Sequence, residues 1–189
     1  MENKSYLKLK TFHLILMAIA LVLSVFIIVK TCDFTTVYGV LALLFSFVRL
    51  IALIFGLVYI FNGFKKDVSN FYKGYMLLYV VSMFLFSTNS IATKDVSYFE
   101  AFLNNGALVA SLVLAIGKDL GKKNTYITAA ALLLCTLVPL VIYGLTFTNY
   151  GDEGLIMLSC AISNFLLAVT ATFMVYEKYA DKVARGRKV

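Results

Sequence analysis

Six runs of apolar residues, each bounded by charged or small polar positions, take up most of the chain; they fall near 12–30, 37–63, 73–89, 99–117, 126–148 and 154–176. A helix needs about 20 apolar residues to cross the hydrocarbon core of a bilayer, and none of the runs alternates as a half-buried strand does. The pattern predicts an all-α fold, a polytopic membrane helical bundle of six transmembrane helices. The connections are short, at Thr31–Thr36, Phe64–Tyr72, Ser90–Tyr98, Lys118–Thr125 and Asn149–Glu153. A single transmembrane domain over 1–189, ending in a basic tail at 177–189, leaves no room for a separate soluble catalytic domain. The first run follows a charged start, as the core of a signal peptide does. Phe12–Val29 is long for such a core, however, and no small-x-small cleavage site follows it before Lys30-Thr31-Cys32-Asp33, so it is read as the first membrane helix.

Charge orients this pattern. Lys4, Lys8, Lys10, Lys65, Lys66, Lys73, Lys118, Lys122, Lys123, Lys178, Lys182, Arg185, Arg187 and Lys188 all fall on one side of the six runs, and only Lys30 and Lys94 on the other. Basic residues beside a span are retained in the cytoplasm, which predicts that both termini are cytoplasmic. Tyrosines, which prefer an interface with an apolar body and a wet hydroxyl, agree: Tyr59, Tyr72, Tyr75, Tyr126, Tyr176 and Tyr179 are expected at the inner surface, and Tyr38, Tyr98 and Tyr150 at the outer one. The net charge of +7 is accounted for by these basic turns and the tail. It points to anionic lipid headgroups as partners and not to nucleic acid.

Composition makes lipid the solvent: 61% of residues are hydrophobic, 14% charged, and the mean hydropathy is +0.90. An integral membrane protein follows, with the lipid bilayer as its first partner. Lys outnumbers Arg fourteen to three, and with the short loops this suggests a bacterial cytoplasmic membrane.

Against that background Arg49 stands out, in the middle of the second run. A guanidinium at a helix centre costs about 2.5–3.5 kcal/mol on insertion scales, so it is expected to face the bundle interior or a wet cavity. Ser46 and Gly56 share its helical face. No Asp or Glu lies well inside any run; Glu100, asparagine amides, backbone carbonyls or a bound anion are the partners on offer. Measured back from the lysines that follow each returning helix, Asn104 and Asn164 lie at a depth similar to that of Arg49. With Asn105, Ser163, Ser159 and Cys160 they make candidate lining for a polar pocket opening outward, the substrate-binding set being Arg49, Asn104, Asn105, Asn164, Ser163 and Ser46. The alternative is plain hydrogen bonding between helices, worth about 0.6–2 kcal/mol per contact. Similar spacings also hint at three tandem helix hairpins, with identity too thin to assert a duplication. Small-residue stripes, Ala107-Ser111-Ala115 and Cys160-Asn164-Ala168-Thr172, are read first as packing seams, with a homo-oligomer or a membrane protein partner as the other reading.

Catalytic chemistry finds no foothold. His13 is the only histidine, which removes bis-His haem and disfavours a metal site, and an interfacial position is expected for it. Cys32, Cys135 and Cys160 form no CxxC pair, and no GxSxG, HExxH, P-loop or intramembrane aspartate pair is present. No cofactor is implied and an enzyme is not expected. Pro139 predicts a kink in the fifth helix. In size, helix count and lack of an ATP-binding motif the chain is similar in architecture to the substrate-binding subunits of energy-coupling-factor vitamin transporters. No residue motif carries that similarity, and the first helix has no Ala-x-x-x-Ala docking stripe. Two functions remain: a small transporter or solute-binding membrane subunit, or a non-enzymatic accessory, assembly or immunity-type membrane protein acting through helix contacts.

Overall fold

The computed structural model describes residues 4–31, 34–61, 69–92, 98–116 and 121–184. Six long helices account for nearly all of them: α1 (Lys4–Thr31), α2 (Val37–Phe61), α3 (Ser69–Ala92), α4 (Tyr98–Ile116), α5 (Gly121–Thr146) and α6 (Gly151–Ala184), with a 3-10 turn at Phe147–Tyr150 between the last two. Five contain stretches long and apolar enough to cross a membrane: Lys10–Thr31, Gly39–Phe61, Phe99–Ile116, Lys123–Tyr150 and Glu153–Tyr176. The chain is an all-helical integral membrane protein. α3 carries Lys73 and a face of Tyr72, Tyr75, Tyr79, Ser82 and Ser87, and that face points into the bundle.

Helix ends differ from span ends where no breaker separates them. α1 begins at Lys4, ahead of the expected residue 12, since Lys and Leu are good helix formers and no Gly or Pro intervenes. For the same reason α6 runs on to Ala184, so that most of the expected basic tail continues the helix. α5 starts early, at Gly121, and continues through Pro139. Gly121 and Gly151 have φ of 69° and 56°, a left-handed conformation open to glycine, and each starts a helix on a new axis. The expected turn residues Lys65, Lys66 and Lys118, the outer residues Cys32, Asp33, Lys94 and Asp95, and the tail residues Arg185, Arg187 and Lys188 lie outside the described residues.

Each helix packs on the next in sequence, and α1 closes the ring on α6. α6 also reaches across to α3, and it is the most enclosed helix: 50% of its span is buried, against 11% for α5. Contacts at one end tie the start of α1 to the ends of α2 and α6. There Lys10 Nζ donates to the Phe61 carbonyl at 2.9 Å, and the His13 ring stacks on Phe173 with centroids 3.6 Å apart. This is the end where Lys10, Lys73 and Lys123 gather. At the opposite end Ser87 of α3 bonds Asn105 of α4.

The main core runs through the half of the bundle toward the basic end, around Met17, Leu53, Ile60, Tyr75, Leu132 and Met174. A smaller cluster of Ile27, Ala42, Phe45 and Cys160 fills the other half. Gly56 marks a tight approach within the main core: a Cβ there would lie 2.5 Å from Met17 Cε and 2.8 Å from Tyr75 Cδ2. Several aromatic expectations need correction. Tyr59, Tyr72 and Tyr75 are core residues and not interfacial ones, with Tyr59 and Tyr72 rings 5.6 Å apart. His13 is buried too, because Phe12 and Phe173 sandwich it. Tyr126, Tyr150 and Tyr176 are exposed, as an interfacial ring requires.

Candidate functional site

Arg49 lies midway between the ends of α2 and has 0% of its surface exposed. Its Nη2 donates to Asn164 Oδ1 on α6, and its guanidinium carbon sits 5.0 Å above the centre of the Phe45 ring, one turn earlier on its own helix. The remaining donors, Nε and Nη1, are buried without a hydrogen-bond partner. Among the described residues no carboxylate bonds to it.

Around this cation the other helices supply polar groups. Ser46, on the same face of α2, is buried and its Oγ has no partner. Tyr79 of α3 is fully buried, lies within electrostatic reach of Arg49, and also has an unpartnered hydroxyl. Cys160, one turn before Asn164, is likewise within reach of the charge and is a free thiol. The serine next in sequence to Asn164, Ser163, faces α1, its Oγ 3.5 Å from Ser24 Oγ.

Those unpartnered hydroxyls are exceptions in this bundle. Ser24, Thr136 and Thr170, all buried, donate to the carbonyl four residues earlier, at 2.8, 2.9 and 2.9 Å respectively. Such back-bonding is the usual way a helix in lipid satisfies a hydroxyl. Tyr75 donates to the Leu167 carbonyl at 2.7 Å and so ties α3 to α6. One further buried side-chain atom, His13 Nδ1 at the basic end, is unpartnered, so four of the five such atoms among the described residues gather at the level of Arg49. Buried polar groups are hydrogen-bonded in the great majority of cases, and each exception needs a cause.

The depth matching drawn from the sequence holds for Arg49 and Asn164, which the structure joins, and Ser46 and Ser163 lie beside them. It does not bring in α4. Asn105 is exposed to the outside of the bundle and its Oδ1 accepts a 2.9 Å bond from Ser87 of α3. Asn104 is half-buried and not bonded to Arg49. Glu100 is engaged by the Tyr143 hydroxyl of α5, which donates to its carboxylate. α4 packs between α3 and α5, and this position separates its polar residues from the centre. Tyr79, Phe45 and Ser24 were not foreseen. The signal for Tyr79 was the stripe Tyr72, Tyr75, Tyr79, Ser82, whose spacing of three and four marks one helical face in an otherwise apolar segment.

The arrangement is a set of N–H and O–H donors around a delocalised cation, enclosed by apolar clusters on both sides. Donors of this kind around a cation are groups to which an anion can bond. Among the described residues no three His, Cys, Asp or Glu side chains are grouped to hold a metal. No protein-family model, curated protein or solved structure matches the chain.

Proposed function

We propose that this protein is a small transporter or solute-binding subunit of a bacterial cytoplasmic membrane, with both termini in the cytoplasm, that takes an anionic solute at Arg49. The observation carrying this reading is the pair of unpartnered guanidinium nitrogens, Nε and Nη1, beside the unpartnered hydroxyls of Ser46 and Tyr79. Leaving a buried donor unsatisfied costs about 1–3 kcal/mol, and more when it is charged. An anion placed among these groups converts that cost into charge-assisted hydrogen bonds, which are about twice as strong as neutral ones.

Route follows from the two apolar clusters. Toward the basic end the closure is thick, with Gly56 pressed by Met17, Tyr75 and Met174 and the Tyr75–Leu167 bond across it. Toward the other end the smaller Ile27, Ala42, Phe45 and Cys160 cluster intervenes, with half-buried Phe26, Leu85, Phe86 and Ile156 packed against it. Entry from outside thus needs less rearrangement than entry from the cytoplasm, in keeping with an outward-opening site that is closed here. Stripes that a partner protein would have used are occupied within the bundle: Ala107, Ser111, Asn164 and Ala168 are all buried, which counts against the accessory reading.

The test is a thermal-shift series on the detergent-purified protein with sodium chloride, sulfate, acetate and phosphate, at matched ionic strength, for the wild type and Arg49→Met. The expected outcome is that at least one anion raises the wild-type midpoint and leaves Arg49→Met unmoved. If no anion acts on the wild type and Arg49→Met is the more stable protein in all four salts, Arg49 is a structural cation and the proposal is wrong.

A further inference from the structure

A cavity lies away from Arg49, at the basic end, between the first turns of α5 and the later turns of α6. It measures about 260 Å³ and is lined by Thr125, Ala129, Leu133, Val169, Thr172 and Phe173, with Tyr126 and Tyr176 at its rim. Its threonines contribute methyl groups and little else: Thr125 Oγ1 donates to the Gly121 carbonyl at 3.0 Å and Thr172 Oγ1 to the Ala168 carbonyl at 2.9 Å. A wall whose hydroxyls are already engaged on their own helices offers nothing to a polar solute or a peptide backbone. It does offer continuous van der Waals contact to a hydrocarbon chain.

Two features select the kind of chain. Tyr126 and Tyr176 are 45% and 49% exposed, the amphipathic placement of rings at the headgroup level. A basic residue adjoins them: Lys123, exposed, lies three residues before Tyr126 on α5. No acidic residue falls among Gly121–Thr146 of α5, and Glu177 of α6 is flanked by Lys178. Each basic residue near an anionic surface adds attraction that a zwitterionic lipid does not return.

We propose that this groove is a binding site for one acyl chain of an anionic phospholipid, whose phosphate is met by the positive charge of Lys123. Such a lipid fastens α5, the helix with the least protein around it, to the central α6. The proposal is independent of the anion reading at Arg49, because no residue is shared.

The experiment measures the unfolding midpoint of the delipidated full-length protein with added phosphatidylglycerol or with phosphatidylcholine of the same chains. A lipid at about 100 times its dissociation constant is expected to raise the midpoint by roughly 5–11 °C. Phosphatidylglycerol should do so and phosphatidylcholine should give less than half that shift. Lys123→Glu should abolish the difference between the lipids, and Val169→Trp, which fills the groove, should abolish the response to both. Equal shifts from both lipids, or a phosphatidylglycerol shift that survives in the two variants, overturn the proposal. Should Val169→Trp not fold, phosphatidylglycerol with a photoreactive group on its acyl chain decides in the wild type: labelling concentrated on Thr125–Leu133 and Val169–Tyr176 supports the site, and labelling spread over all lipid-facing helices refutes it.

Discussion

Two polar layers cross this bundle, and they are satisfied differently. Near the end remote from the lysines, Ser87 bonds Asn105 and Tyr143 bonds Glu100. Donors and acceptors there are matched, and the carboxylate goes to a tyrosine. At the middle of the bundle Arg49 has a single amide for a partner, while Nε, Nη1, Ser46 Oγ and Tyr79 Oη have none. Matched polar groups near a membrane surface are explained by helix packing alone. An excess of donors around a full charge at the most expensive depth is not, since hydrophobic replacements would pack there at lower cost. The contrast separates a structural layer from one shaped for something else.

The sharpest way to break this contrast is to remove the one partner Arg49 has. Asn164→Leu leaves the guanidinium with no acceptor among the described residues and is expected to cost about 3 kcal/mol, measured as a fall in the unfolding midpoint in detergent. Adding Arg49→Leu to it should recover most of that loss, since two apolar side chains then meet where a lone charge stood. If the double variant is no more stable than Asn164→Leu, Arg49 has acceptors that the present geometry does not show, and the two layers are alike after all.

The thick closure below Arg49 comes next. Gly56→Ala puts a methyl against Met17 Cε and the Tyr75 ring. The methionine end can swing away, but the ring is held by its bond to Leu167, so an overpacking cost of about 2 kcal/mol is expected. In binding assays this variant should also weaken any anion response, because the shift needed to relieve Tyr75 propagates to Tyr79, whose ring centroid is 6.2 Å away.

How far these features were legible in the sequence depends on what each one needs. The six helices required only length and hydropathy. Arg49 required only the absence of nearby charge, and Asn164 was reachable by counting residues from a common surface. Depth, though, is one coordinate of three. Asn105 sits on a helix held between α3 and α5, and no count along the chain reveals which face of α4 turns outward. Tyrosine misled for a related reason. A ring with a wet tip fits an interface and a polar core equally well, and only the neighbours of Tyr72, Tyr75 and Tyr79 show that this run lines the interior.

In the matched layer the stakes are smaller. Ser87→Ala removes a donor whose acceptor, on exposed Asn105, turns to another partner at the surface. A loss of about 0.6 kcal/mol is expected by the same unfolding measurement. A drop as large as that of Asn164→Leu would show that the outer layer is also under strain, and would remove the reason for singling out the inner one.

The smallest effect on stability carries the most information about the site. Tyr79→Phe deletes a buried hydroxyl that has no hydrogen-bond partner and keeps the ring stacked beside Tyr75. Nothing is lost from the folded protein except the cost of having desolvated that hydroxyl, so a change within about 0.5 kcal/mol, in the stabilising direction, is expected in anion-free buffer. The anion response should move the other way. If the hydroxyl donates to a ligand held by Arg49, its removal costs about one hydrogen bond to a charged group, roughly 1.5–3 kcal/mol, or a weakening of apparent affinity of at least tenfold. A variant that is more stable and binds more weakly is what a group kept for a ligand produces. One that is less stable, with affinity unchanged, would mean that Tyr79 has a partner within the protein and that the donor excess at Arg49 is smaller than it looks.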